Sequence, residues 1–157
     1  MLWHLFSRVK ALTATIAVRI LVSYVVAVLV TYLLGATAAT QSVLASLEAM
    51  GVVVSVGERL STTGKDLIGM FPTYGLIIAV ALAIALPVAT TIAKYLPGWR
   101  AFGLVAAGVV ALTLPHILMR ELLEISPVAS TRTIMGLLVQ GLAGGLGGYA
   151  FYRLRDP

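Results

Sequence analysis

Charged residues punctuate this chain at long intervals, and the apolar runs between them have the length of membrane spans. Between Arg19 and Glu48 lie 28 residues without a formal charge, between Asp66 and Lys94 lie 27, between Arg100 and Arg120 lie 19, and between Arg132 and Arg153 lie 20. A helix rising about 1.5 Å per residue needs about 20 residues to cross a hydrocarbon core of about 30 Å, so each run is long enough. The runs are near-continuously apolar rather than alternating, which predicts helices and not the strands of a barrel. The predicted spans are Ile20 to Thr40, Pro72 to Ala93, Ala101 to Met119 and Thr133 to Tyr152.

Shorter elements are expected between and before them. Leu2, Leu5, Phe6, Val9 and Ile16 recur at helical spacing, which predicts a short amphipathic helix in the inner interface ahead of the first span. The basic start, the apolar run and the small residues Ala36, Thr37 and Ala38 together resemble a secretory signal. The run is longer than a signal core and begins only after Arg19, so a retained span is expected. The outer connection, residues 41–71, is too long for a turn and too apolar for a linker. Val43, Leu44, Leu47 and Met50 predict one short surface helix ending at Gly51. Ser55 and Glu58 have capping-box spacing and predict a second, with Leu60, Leu67 and Ile68 as its apolar contacts and Pro72 in the first turn of the next span. The link through Tyr95, Leu96, Pro97, Gly98 and Trp99 is compact, and so is the link from Arg120 to Arg132. Short links make successive spans antiparallel neighbours. The fold class expected is therefore an all-α integral membrane protein, one four-helix domain over residues 1–157 arranged as an up-down antiparallel bundle.

Composition sharpens this picture. Hydrophobic residues make up 60% of the 157 positions and charged residues 11%, and the mean hydropathy is +1.03, outside the range of water-soluble domains. Arg8, Lys10, Arg19, Lys94, Arg100, Arg153 and Arg155 fall on the side that holds both ends, against Arg59, Lys65, Arg120 and Arg132 opposite. The positive-inside rule then puts both termini in the cytoplasm of a bacterial inner membrane, or in the matrix if the chain is mitochondrial. Trp3, Phe6, Tyr95, Trp99, Phe102, Tyr149, Phe151 and Tyr152 gather at the proposed inner boundary and Phe71 and Tyr74 at the outer one. The net charge of +5 is explained by topology and anionic lipid, so nucleic acid is not an expected partner. There is no cysteine, which removes disulfides, thiolate catalysis and Cys-ligated metals.

The fourth span carries the densest signal. Gly136, Gly141, Gly144, Gly145, Gly147 and Gly148 occupy about half of its circumference, with Gln140 inside the arc, while Met135, Leu138, Val139, Leu142 and Leu146 fill most of the rest. In lipid, small residues four apart let helices approach, and an amide in that arc is predicted to hydrogen-bond to a neighbour. The glycine face packs either within its own bundle or against another copy or another membrane subunit.

Candidate chemistry is sparse. No Asp, Glu, Lys or Arg lies deep in a predicted span, whereas ion-coupled carriers and proton relays use such a residue. The polar candidates are His116 and Gln140, with Thr31, Thr90, Thr91 and Thr113 as hydroxyls. His116, Arg120 and Glu124 follow at intervals of four and define a possible polar site at the outer mouth. His4, the second histidine, lies on the other side, so no metal or haem site is expected within one chain. Around Gly64 and Lys65 a Walker-like ending lacks its first glycine and its hydroxyl residue. Gly145, Gly147 and Ala150 fit a dinucleotide fingerprint only formally, inside a span with no preceding strand. Pro87 and Pro115 predict bends. The function expected is non-enzymatic: a subunit or assembly factor of an inner-membrane complex, joined through the glycine face and without cofactor. A small oligomeric channel or transporter with its pathway near Gln140 and the intramembrane threonines is the alternative.

Overall fold

The computed structural model describes residues 2–123, 131 and 133–155, with side chains described from residue 14 onward except at 97, 122 and 123. Its elements are helical and no strand occurs among the described residues. They are α1 (Leu2–Ala49), α2 (Val56–Gly69), a π-helical turn (Phe71–Gly75), α3 (Leu76–Ala93), a 3-10 turn (Pro97–Trp99), α4 (Arg100–Leu123) and α5 (Ile134–Arg155). Four stretches are long and apolar enough to cross a membrane: Ala14–Ala49, Phe71–Ala93, Arg100–Glu121 and Ile134–Arg155.

The first element departs most from expectation. The amphipathic start, the first span and the surface helix expected after it are one uninterrupted helix of 48 residues. The charges taken as its boundaries are accommodated without a break. Arg19 Nε donates to the Leu154 carbonyl at the end of α5 (3.0 Å), and Glu48 accepts from Arg59 Nη2 (2.6 Å). The helix stops at Gly51, whose φ of +86° is a left-handed conformation open to glycine. Gly51 N donates to Glu48 O and Val52 N to Leu47 O, which satisfies two of the last carbonyls.

After this stop α2 doubles back along α1. Its start is the capping box that the sequence indicates: Glu58 N donates to Ser55 Oγ (3.3 Å) and Ser55 N to the Glu58 carboxylate (2.8 Å). The returning face is polar. Arg59 donates to Gln41 as well as Glu48, Gln41 donates to Thr63, and Thr40 donates to Asp66 (2.8 Å). Of the apolar contacts expected here, only Leu67 packs against the core, while Leu60 and Ile68 point outward at 71% and 80% exposure. The hairpin therefore presents its apolar face away from α1.

Residue pairings give the relative directions of the long helices. Arg19 meets Leu154, Thr31 meets Gly147 and Gly35 meets Gln140, so α1 and α5 run oppositely. Leu104 meets Gly148 and Gly108 meets Gly144, so α4 and α5 do too. Tyr24 donates to the Ala79 carbonyl (2.7 Å) and the Tyr32 ring meets Phe71 edge-on at 5.2 Å, which aligns α1 and α3 in the same opposed sense. α5 sits between α1 and α4 and is the most enclosed, with half of its apolar window buried.

Both prolines lie inside continuous helices. Each releases the carbonyl four residues earlier, Ala83 or Ala111. The nearby threonines do not turn to these groups: Thr90, Thr91 and Thr113 donate to Leu86, Pro87 and Val109, their own fourth-preceding carbonyls.

Two outcomes follow. Gly144→Val and Gly108→Val each drive a side chain into the facing backbone and are expected to abolish cooperative thermal unfolding in detergent, whereas Leu142→Val on the exposed face leaves the transition in place. The Ser55 hydroxyl and amide hold the Glu58 carboxyl below its usual range. That cap is fully present above the ordinary carboxylate value and lost as pH falls through the depressed one. The protection factor of the Ser55 amide, which donates to the Glu58 carboxylate, should therefore fall on acidification in the parent chain, and in Glu58→Ala it should be low at every pH.

Candidate functional site

The interior polar groups collect where α1, α3 and α5 meet. The π-helical turn carries Pro72 in its first positions, and the Tyr74 amide donates to the Met70 carbonyl four residues back (2.8 Å). Tyr74, expected as a boundary aromatic, faces the interior of the protein, where it is 3% exposed. Its hydroxyl donates to Gln140 Oε1 (2.6 Å), and Gln140 Nε2 donates to the Gly35 carbonyl (2.9 Å). One amide thus ties three helices. The absence of a side chain at position 35 makes room: a Cβ there would stand 2.7 Å from Gln140 Oε1 and 3.0 Å from the Tyr74 hydroxyl.

His116 lies against this clamp, its ring stacked on Tyr74 at 5.9 Å with planes 20° apart. It is buried, and neither ring nitrogen has a hydrogen-bond partner among the described residues. Thr31 Oγ is a second buried polar atom without one. The outer-mouth arrangement expected of His116, Arg120 and Glu124 takes a different form. His116 turns inward, exposed Arg120 pairs with its neighbour Glu121 (3.0 Å), and Glu124 lies outside the described residues. A cleft of about 400 Å³ between the carboxy-terminal part of α1 and the amino-terminal part of α5 reaches Gln140 and is lined also by Gln41, Ser42 and Thr133. Three or more His, Asp or Glu side chains placed to hold a metal do not occur among the described residues.

The six glycines and Gln140 of α5 are all buried. A Cβ at Gly144 would strike the Gly108 carbonyl oxygen, one at Gly148 the Leu104 carbonyl oxygen, and one at Gly147 the Thr31 hydroxyl. Gly141 faces Thr113 and Val109, and Gly145 faces Val105 and Val109. Of the two readings of this face, the geometry favours packing within the chain: α1 and α4 already cover it. Met135, Leu138, Val139, Leu142 and Leu146 form the outward face.

The matching surface on α1 went unread in the sequence. Ser23, Ala27, Thr31, Gly35 and Ala39 are all buried and recur every four residues, a seam of small side chains facing α5. At the carboxy-terminal end of α5 Arg155 Nη1 donates to Thr90 Oγ (2.7 Å), and its guanidinium lies 5.6 Å from the Phe151 ring, so a cation expected to serve topology also joins α5 to α3.

The chain matches no protein-family model, no curated protein and no solved structure.

The clamp yields a double-mutant test. Tyr74→Phe and Gln140→Leu should each destabilise the folded protein in detergent, with a coupling energy of about 0.6 kcal/mol and no more than about 2 kcal/mol. Additive effects would show that the two side chains act separately.

Proposed function

We propose that the chain is a non-enzymatic multi-pass membrane protein that serves as a subunit or accessory factor of a membrane complex. In this reading it threads the lipid bilayer four times as an up-down bundle, with both ends on the cytoplasmic side of a bacterial inner membrane. The observation that carries the proposal is the use of Gln140. The single amide of the fourth span is consumed in holding Gly35 and Tyr74, so it serves cohesion of the bundle and not passage of a solute. With the glycine face engaged inside the chain, the surface offered to another subunit is the outer α1–α2 hairpin, where Val56, Leu60 and Ile68 face outward on one helical side.

A second reading has one observation in its favour. The cleft that descends to Gln140 between α1 and α5, with Gln41, Ser42 and Thr133 along it, suits the mouth of a small oligomeric channel.

One experiment separates them. The protein is isolated in a mild detergent under native conditions and, in parallel, reconstituted alone into liposomes. Stable copurification of other membrane proteins, lost on Leu60→Glu/Ile68→Glu, with no solute flux from the liposomes, is the expected result. Selective flux by the purified chain, reduced by Gln140→Leu, would replace the accessory role with the channel.

A further inference from the structure

An apolar groove of about 440 Å³ runs between α3 and α4 at the end where the two helices are joined. Its floor is low because the residues there are small: Ala85 and Ala89 on α3, and Gly103, Ala106 and Ala107 on α4. The strip on each helix is about 12 Å long at the helical rise. Leu96 and Trp99, from the connecting turn, close one end. A transmembrane helix of a partner, which needs about 30 Å of unobstructed seam, does not fit a blind groove of that length. A flexible methylene chain does.

The closed end carries the opposite chemistry. Lys94 follows the last residue of α3 and is exposed; Arg100 opens α4 and is half-buried. The 3-10 turn Pro97–Trp99 runs directly into α4, and Leu96 at its cap position makes no side-chain cap hydrogen bond. The amino terminus of this continuous helical segment adds positive partial charge at the same end. Trp99 and Phe102 meet edge-on at 5.5 Å and are 63% and 64% exposed, the placement of rings that sit among headgroups.

We propose that this groove is a binding site for an anionic phospholipid, with one acyl chain lying between α3 and α4 and the phosphate held by Lys94, Arg100 and the helical amino terminus at the Pro97–Trp99 turn. Two cations and a helix amino terminus at one mouth favour a headgroup of net negative charge over a zwitterionic one, and the apolar groove favours a chain over free phosphate. The site is independent of the role proposed above for the whole protein.

Native mass spectrometry of the purified chain, given equal amounts of phosphatidylglycerol and phosphatidylcholine with identical acyl chains, tests this. Phosphatidylglycerol should be retained at least about fivefold over phosphatidylcholine, the order expected for about 1 kcal/mol per basic residue near a headgroup. Lys94→Gln/Arg100→Gln should bring the ratio to near one, and Ala89→Leu/Ala106→Leu, which fills the groove, should lower retention of both lipids. A second measurement does not depend on the filled-groove variant folding. In Trp3→Phe protein, phosphatidylglycerol brominated in its acyl chains should quench Trp99 fluorescence more than brominated phosphatidylcholine at the same mole fraction, and Lys94→Gln/Arg100→Gln should remove the excess. Equal retention of the two lipids by the parent chain, a ratio unchanged by the charge variant, or equal quenching would overturn the proposal.

Discussion

Everything else in this structure depends on how closely the backbone of α5 approaches those of α1 and α4. Between helices surrounded by lipid tails, burying apolar surface supplies no net drive, and association falls to dispersion contacts and hydrogen bonds. Dispersion decays steeply with separation, so contact area at close range decides the outcome. Gly108 and Gly144 bring carbonyl groups into places where any side chain would collide, and Gly147 and Gly148 repeat this against Thr31 and Leu104. A glycine in a helix costs about 1 kcal/mol relative to alanine, and here that cost is offset by tight contact on two sides.

α3 is held by other means. It contains no glycine; its ties are the Tyr24 and Tyr74 hydroxyls, the Thr90 to Arg155 bond, and the apolar row Ile78, Leu82 and Leu86. These bonds lie in a low-dielectric interior, where a satisfied polar group rigidifies its surroundings and an unsatisfied one is costly. Both kinds are present side by side. The Gln140 amide is satisfied by Tyr74 and Gly35, while the adjacent His116 ring and the Thr31 hydroxyl are buried without partners among the described residues.

The long intervals between charges revealed the four long apolar helices, and the glycine arc with its amide revealed the most enclosed one, because both are periodic signals that survive without tertiary context. Ser55 and Glu58 marked the start of α2 for the same reason: a cap is a local interaction. What the sequence concealed depended on distant partners. Arg19 and Glu48 read as the limits of a span, yet each is absorbed by a group far along the chain, Leu154 or Arg59, and the helix continues past both. The α1 seam was hidden because its serine, alanine, threonine and glycine, small like the α5 glycines, are diluted by the valines and leucines between them. Tyr74 read as a boundary aromatic, and its burial against Gln140 and His116 depends on partners far along the chain. Leu60 and Ile68 had the spacing of a buried face, but the polar partners Gln41, Thr40 and Glu48 claimed the opposite side of α2.

The unbroken course of α1 has a geometric corollary. At about 1.5 Å per residue the 48-residue rod is roughly 72 Å long, more than twice the thickness of a hydrocarbon core, and the prolines that interrupt hydrogen bonding belong to α3 and α4 instead. The section packed on the glycine face of α5, from Ala27 to Gly35, lies near the middle of this rod, so the α2 hairpin and the amino-terminal arm project from it in opposite directions.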